Sequence, residues 1–131
     1  MSRQACQILV VEDDRDIREA VHDVLTDESF AVTLASGGRA ALATLRTPGA
    51  PKPCAILLDL MMPDMDGAEF RAIQAADPDL RDIPVIIVSA HREHERVGRT
   101  LGVTRYLRKP VDVDELLAML GDCCSAHARA S

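Results

Sequence analysis

Residues 55–67 read AILLDLMMPDMDG. The first four are apolar enough for the middle of a buried sheet, yet the run delivers a carboxylate, Asp59, at its end. A carboxylate at the margin of a core loses hydration, which is costly unless a partner compensates. Asp59 therefore either caps the turn begun by MMPDMDG or belongs to a site built to use it.

Four further runs of strand length surround this one: QILVV (7–11), FAVTLA (30–35), PVIIVS (84–89) and RYLRK (105–109). The runs at 7–11, 54–59 and 84–89 are continuous and rich in β-branched residues. That is the composition of central parallel strands covered on both faces. The other two are more mixed, as edge strands are. Between them lie segments of helical period. Ile17, Ala20, Val21, Val24 and Leu25 form one apolar face, and Ala40, Ala41, Leu42 and Leu45 follow Gly37-Gly38. Ala68, Phe70, Ile73 and Ala76 follow Gly67, and Val97, Leu101 and Val103 make a weaker set. Val113, Leu116, Leu117 and Leu120 close the pattern, with Gly121 read as the stop. Strand and helix alternate five times, which predicts an α/β fold with a parallel sheet, right-handed crossovers and helices on both faces. TPGAPKP (47–53) is a turn-rich loop, and CCSAHARAS (123–131) is expected to be a short flexible tail after a single domain at 1–122.

Composition fits one soluble domain. The chain has 131 residues, 47% of them hydrophobic and 27% charged, enough to bury roughly two-thirds of the unfolded surface. A net charge of −6 argues against direct nucleic-acid binding. No apolar run reaches the ~18 residues of a membrane span, so the expectation is a cytoplasmic chain without membrane insertion. Cys6, Cys54, Cys123 and Cys124 lack the spacing of a zinc or dithiol site and read as buried or incidental thiols.

In a parallel α/β sheet, functional groups gather at the carboxyl ends of the strands. Here those ends carry Glu12-Asp13-Asp14, Asp59, Ser89 and Lys109-Pro110. Each has a plain structural alternative: Asp13 or Asp14 as a helix N-cap, Asp59 as a turn acceptor, Ser89 as a cap, Lys109 as a solvated cation. Their joint placement favours one shared site. Two carboxylates ~4 Å apart repel by about 4 kcal/mol at an effective dielectric near 20, so three of them demand a cation. A hard oxygen cluster suits Mg²⁺. Metal and ammonium together serve phosphoryl transfer, and a carboxylate can itself be the acceptor. Asp59 is therefore read as a phosphoacceptor.

With ILVVEDDRDIRE, ILLDLMMPDMDG, VIIVSA and YLRKP standing in register, the chain resembles the receiver domain of two-component response regulators across about residues 6–122, most closely the stand-alone, chemotaxis-regulator-like kind. The resemblance implies a flavodoxin-like (βα)5 fold with strand order 2-1-3-4-5. It implies phosphorylation of Asp59 by a bacterial sensor histidine kinase or a phosphotransfer protein. By position, Asp13 and Glu12 would bind Mg²⁺ together with Asp59 and the main-chain carbonyl of Met61, and Asp14 would be a cap or an outer group. Ser89 and Lys109 would hold the phosphoryl group, and the Lys109-Pro110 bond would be cis. Ser89 and Tyr106 would switch the surface of the fourth helix, fifth strand and fifth helix toward a downstream protein target. Such a chain catalyses only its own phosphorylation and dephosphorylation. Met61 and His91 depart from common choices and are read as tuning the phosphoryl lifetime; His91 and His94 read as exposed residues opening the fourth helix.

Met1 and the polar tail favour a complete protein. The alternatives are a receiver excised from a hybrid kinase or larger regulator, and a phosphorylation-independent binding module. A haloacid dehalogenase-type phosphatase would need a second aspartate where Met61 stands. A dinucleotide-binding module would need glycines where VVEDDRD stands.

Overall fold

The computed structural model describes residues 7–50, 52–59, 65, 67–90, 96, 102 and 105–130, with side chains described as far as 124. Its strands are β1 (Gln7–Val11), β2 (Ala31–Ala35), β3 (Ala55–Asp59), β4 (Val85–Ser89) and β5 (Arg105–Arg108). Its helices are α1 (Arg15–Asp27), α2 (Gly38–Leu45), α3 (Gly67–Ala76) and α4 (Val113–Ala130). Each predicted strand is present to within a residue at either end. The predicted set around Val97, Leu101 and Val103 lies outside the described residues, as do Cys6, Met61, His91 and His94.

All neighbouring strands pair in parallel, in the order β2-β1-β3-β4-β5. The chain steps outward from β1 to β2, returns across β1 to β3, and then proceeds the other way. That reversal between β1 and β3 makes a crevice at their carboxyl ends, where an open α/β sheet takes its ligands.

The twofold alternation of strand side chains divides the core into two layers. Leu9, Val11, Ile56, Leu58 and Ile87 pack with Ala41 and Leu42 of α2 and Phe70 of α3. Ile8, Val10, Leu57, Ile86, Val88 and Leu107 pack with Leu25 of α1 and Leu116, Leu120 and Cys123 of α4. β3 and β4 are buried at every position, as their unbroken apolar runs require.

Local chemistry sets the element ends. Asp14 caps α1, its Oδ1 accepting from the amides of Asp16 at 2.9 Å and Ile17 at 3.1 Å; such a cap is worth about 1 kcal/mol. α2 opens at Gly38 because space demands it. A Cβ there would lie 2.8 Å from Met65 Sδ and 3.0 Å from Met65 Cβ. Met65 is itself buried, packed against the start of α2. Gln74, fully buried on α3, donates to the carbonyls of Leu80 at 2.8 Å and Ile83 at 3.0 Å and accepts from Arg71. It braces the turn into β4.

One expectation needs correction. Gly121 does not stop the last helix: α4 continues to Ala130, through most of the expected tail. The apolar spacing Leu116, Leu120, Cys123 carries past the glycine, and Cys123 is fully buried. Its burial outweighs the roughly 1 kcal/mol that a helical glycine costs. The expected apolar face of α1 is present. Leu25 is buried in the core, while Ile17 is 37% exposed. Ile17, Ala20, Val21 and Val24 form one wall of a cleft of about 330 Å³, with Pro110, Val111, Val113 and Leu116 opposite and Lys109 at its edge. Among the described residues, no helix is long and apolar enough to cross a membrane.

Candidate functional site

Register builds the site. β1 and β3 pair through Val11 and Leu58, so the next residues, Glu12 and Asp59, emerge side by side at the crevice. Both are buried, each at 5% exposure. β4 and β5 pair through Ser89 and Arg108, and the Lys109 amide donates to the Ser89 carbonyl at 2.9 Å. Lys109 therefore starts one step beyond Ser89 and reaches back across β4. Its Nζ lies 3.2 Å from Glu12 Oε1 and 3.5 Å from Asp59 Oδ2.

Asp13 completes the acidic group from the exposed turn after β1. One carboxylate oxygen from each of Glu12, Asp13 and Asp59 lies within 4.8 Å of the other two. Three carboxylates and one ammonium leave an excess of negative charge in a half-buried crevice. The electrostatics record that strain. Burial, then the hydrogen bond and charge of Asp59, push the Glu12 carboxyl from 4.5 up to about 7, against the opposing pull of the Asp14 amide and Lys109. Burial works to lower the Lys109 ammonium, but the charges of Asp59 and Glu12 overcome it and hold the group above its ordinary 10.5.

The donors are all carboxylate oxygens, the set that a hard divalent cation prefers. Neighbouring oxygens around an octahedral Mg²⁺ stand about 3 Å apart, so the three carboxylates would draw together around an ion. Glu12, Asp13 and Asp59 fit a small divalent cation in charge and ligand type.

Asp14 stands apart from the cluster: its carboxylate is committed to the α1 cap. Its amide donates to Glu12 Oε2 at 3.2 Å, so it orients a cluster member through the main chain. Ser89 is buried at the end of β4. Tyr106, half-buried on β5, packs against the layer under α2 and α3. The Lys109-Pro110 bond is cis. Met61 and His91, assigned to metal binding and rate tuning on the sequence, lie outside the described residues.

Sequence reasoning passed over two residues. Met65 is buried against the start of α2, and nothing in MMPDMDG marks that methionine out from its neighbours. Arg18 donates from one terminal nitrogen to the carbonyls of Glu12 at 2.8 Å and Asp13 at 3.3 Å. A signal for it existed: cations near a helix N-terminus oppose the helix dipole and call for a local reason.

Residues 8–121 match the family described as "Response regulator receiver domain". The chain belongs to the response regulator receiver family. Among curated relatives, this receiver domain is 38% identical over 117 residues to the "Response regulator MprA" proteins of Mycolicibacterium vanbaalenii and Mycobacterium avium; the aligned part is 87% of this chain but 48% and 49% of theirs. The chain thus spans about half the length of the curated relatives it matches. Its fold superposes on the chemotaxis protein CheY4 of Vibrio cholerae with a TM-score of 0.80 at 28% identity, covering 90% of this chain and 98% of that one. The signal receiver domain of a signal transduction histidine kinase from Syntrophus aciditrophicus gives 0.83 at 26% identity, with 92% and 91% covered.

Proposed function

We propose that this receiver domain accepts a phosphoryl group on Asp59 from a sensor histidine kinase or a phosphotransfer protein, and passes the signal to a protein partner in the cytoplasm. One observation carries the reading: Lys109 reaches two buried carboxylates from a different strand, at 3.2 and 3.5 Å, beside a third within metal-sharing distance. Surface ion pairs do not need this construction. A site that receives a dianionic group does.

In the proposed reaction an Asp59 oxygen attacks phosphorus in line. The P–N bond to the donor imidazole breaks, and its electron pair stays on that nitrogen. Glu12, Asp13 and Asp59, with the Met61 carbonyl that the resemblance implies, would hold Mg²⁺, which would supply charge neutralisation to the transferring group. Lys109 turns its ammonium from Asp59 to a phosphoryl oxygen, and the Ser89 hydroxyl donates to another. The new charge of about −1.5 to −2 biases Ser89 and Tyr106 and so the surface around β5 and α4 that a target reads. The chain is a phosphoacceptor rather than an enzyme acting on other substrates.

Intact-mass measurement after incubation with acetyl phosphate and Mg²⁺ tests this. Wild type gains one phosphoryl group; Asp59→Asn, with its fold checked by circular dichroism, gains none. A wild-type chain that remains unmodified, or an Asp59→Asn chain modified to the same extent, refutes the assignment.

A further inference from the structure

Three positions bracket the acidic cluster with positive or donor groups: the Lys109 ammonium on its side-chain oxygens, the Asp14 amide on Glu12, and Arg18 from behind. The last acts on the main chain alone. Arg18 Nη1 donates to the Glu12 carbonyl at 2.8 Å and the Asp13 carbonyl at 3.3 Å. The Glu12 amide on the other side donates to Ala35 at 3.1 Å, across to β2. Between these two bonds the direction of the turn is fixed.

This clamp is not needed to start α1. Asp14 already caps the helix with two hydrogen bonds, and Arg18's own amide makes the first helical bond, to the Asp14 carbonyl at 2.9 Å. Nor is Asp13 held by burial, since it is exposed. Its carboxylate points at Glu12 and Asp59 only as long as the backbone beneath it keeps its orientation. Arg18 is the side chain that grips that backbone at both carbonyls.

We infer that Arg18 is a positioning residue for the divalent-cation site: by gripping the carbonyls of Glu12 and Asp13 it fixes the direction in which the neighbouring carboxylates meet the ion. The inference rests on the reading of the acidic cluster as a metal site, and it assigns the role to the reach and fixed donor directions of Nη1 on the planar guanidinium, which serves both carbonyls, rather than to its charge. A lysine keeps the charge but not that rigid donor geometry. Removing an outer partner of a metal ligand typically weakens binding 10–100-fold.

The test uses the full chain and Mn²⁺, whose binding is read by water-proton relaxation without any phosphoryl donor. Arg18→Met is expected to weaken Mn²⁺ about tenfold, and Arg18→Lys to remain at least threefold weaker than wild type. Phosphorylation by acetyl phosphate should reach the wild-type plateau at saturating metal, with its metal midpoint shifted by the same factor. Arg15→Met, which removes the same charge from an exposed position on α1 paired to Glu19, should bind within twofold of wild type. Urea midpoints report folding separately, and if Arg18→Met fails to fold, Arg18→Lys decides alone. Wild-type affinity in Arg18→Lys, an unchanged midpoint in Arg18→Met, or an equal loss in Arg15→Met overturns the inference. Wild type that binds Mn²⁺ normally while the Arg18 variants are unaffected overturns it alone; wild type that binds no Mn²⁺ overturns the metal site as well.

Discussion

The two faces of the sheet are finished differently. Under α2 and α3, Leu9, Val11, Ile56, Leu58 and Ile87 meet Phe70, Leu42 and Met65 in a layer where a single Cβ at Gly38 would collide with a neighbour. Under α1 and α4, strand residues are equally buried, but the helices leave a cleft of about 330 Å³ walled by Ile17, Ala20, Val21 and Val113. A smaller cavity of about 30 Å³ lies further in, lined by Val10, Leu57 and Val88 and by Glu12 and Asp59 themselves. The alternation that sends Leu9 and Val11 to the first face sends Val10 and then Glu12 to the second. The same count sends Leu57 and then Asp59, and Leu107 and then Lys109, to that side. Glu12, Asp59 and Lys109 share the looser face by parity, and Asp13 joins them from the turn after β1. One face anchors the sheet, and the other carries groups whose charge the fold tolerates only in balance.

The contrast is open to attack by mutation, beginning where the largest effect is expected. Phe70→Ala removes a fully buried ring from the close-packed face and should cost about 3–5 kcal/mol, read by urea denaturation of the metal-free chain. Gly38→Ala should cost about 1–3 kcal/mol, because Met65 has to move from both its Sδ and its Cβ contact. A neutral result there would show that Met65 is not held closely against the start of α2.

On the looser face the informative variable is pH. Glu12 takes up its proton at about 7 in the folded chain against an ordinary 4.5. Its raised value means a stabilising contribution that is full below 4.5 and is lost as pH rises through 7. Without metal, wild type should therefore lose stability relative to Glu12→Gln across that window. Added Mg²⁺, which needs the ionised carboxylate, should bind more tightly as pH rises and release a proton when it binds near neutrality. Thermal melts of both chains at pH 5.5 and 7.5, with EDTA or with Mg²⁺, check the sign. The smallest effect belongs to the cleft wall: Ile17→Ala, at 37% exposure, should stay within about 0.5 kcal/mol of wild type. A loss approaching that of Phe70→Ala would erase the distinction between the faces.

Much of this was legible in one dimension. β3 and β4 announce themselves because a strand buried on both faces must be apolar at every position, and AILLD and VIIVS are apolar until their last residue. The acid at the end of one and the hydroxyl at the end of the other then mark the functional edge. Asp14 was harder to separate from Asp13, since either aspartate can cap a helix; the choice was made by which carboxylate met the amides of Asp16 and Ile17. For Ile17, helical period reported the face it shares with Ala20, Val21 and Val24, but not whether another element seals that face. Gly121 misled because a glycine's local penalty of about 1 kcal/mol is smaller than the gain from burying Cys123 two residues on.

Sequence alone therefore determined the strands, the alternation and the roster of charged groups, since these follow from local periodicity and from where apolar runs end. Tertiary structure decided which groups meet. Lys109 stands 97 residues from Glu12, and only parallel register brings its ammonium to both acids; Arg18's hold on the turn depends on how α1 leaves β1. Distance in space between residues far apart in the chain is set by packing, and no local pattern encodes it.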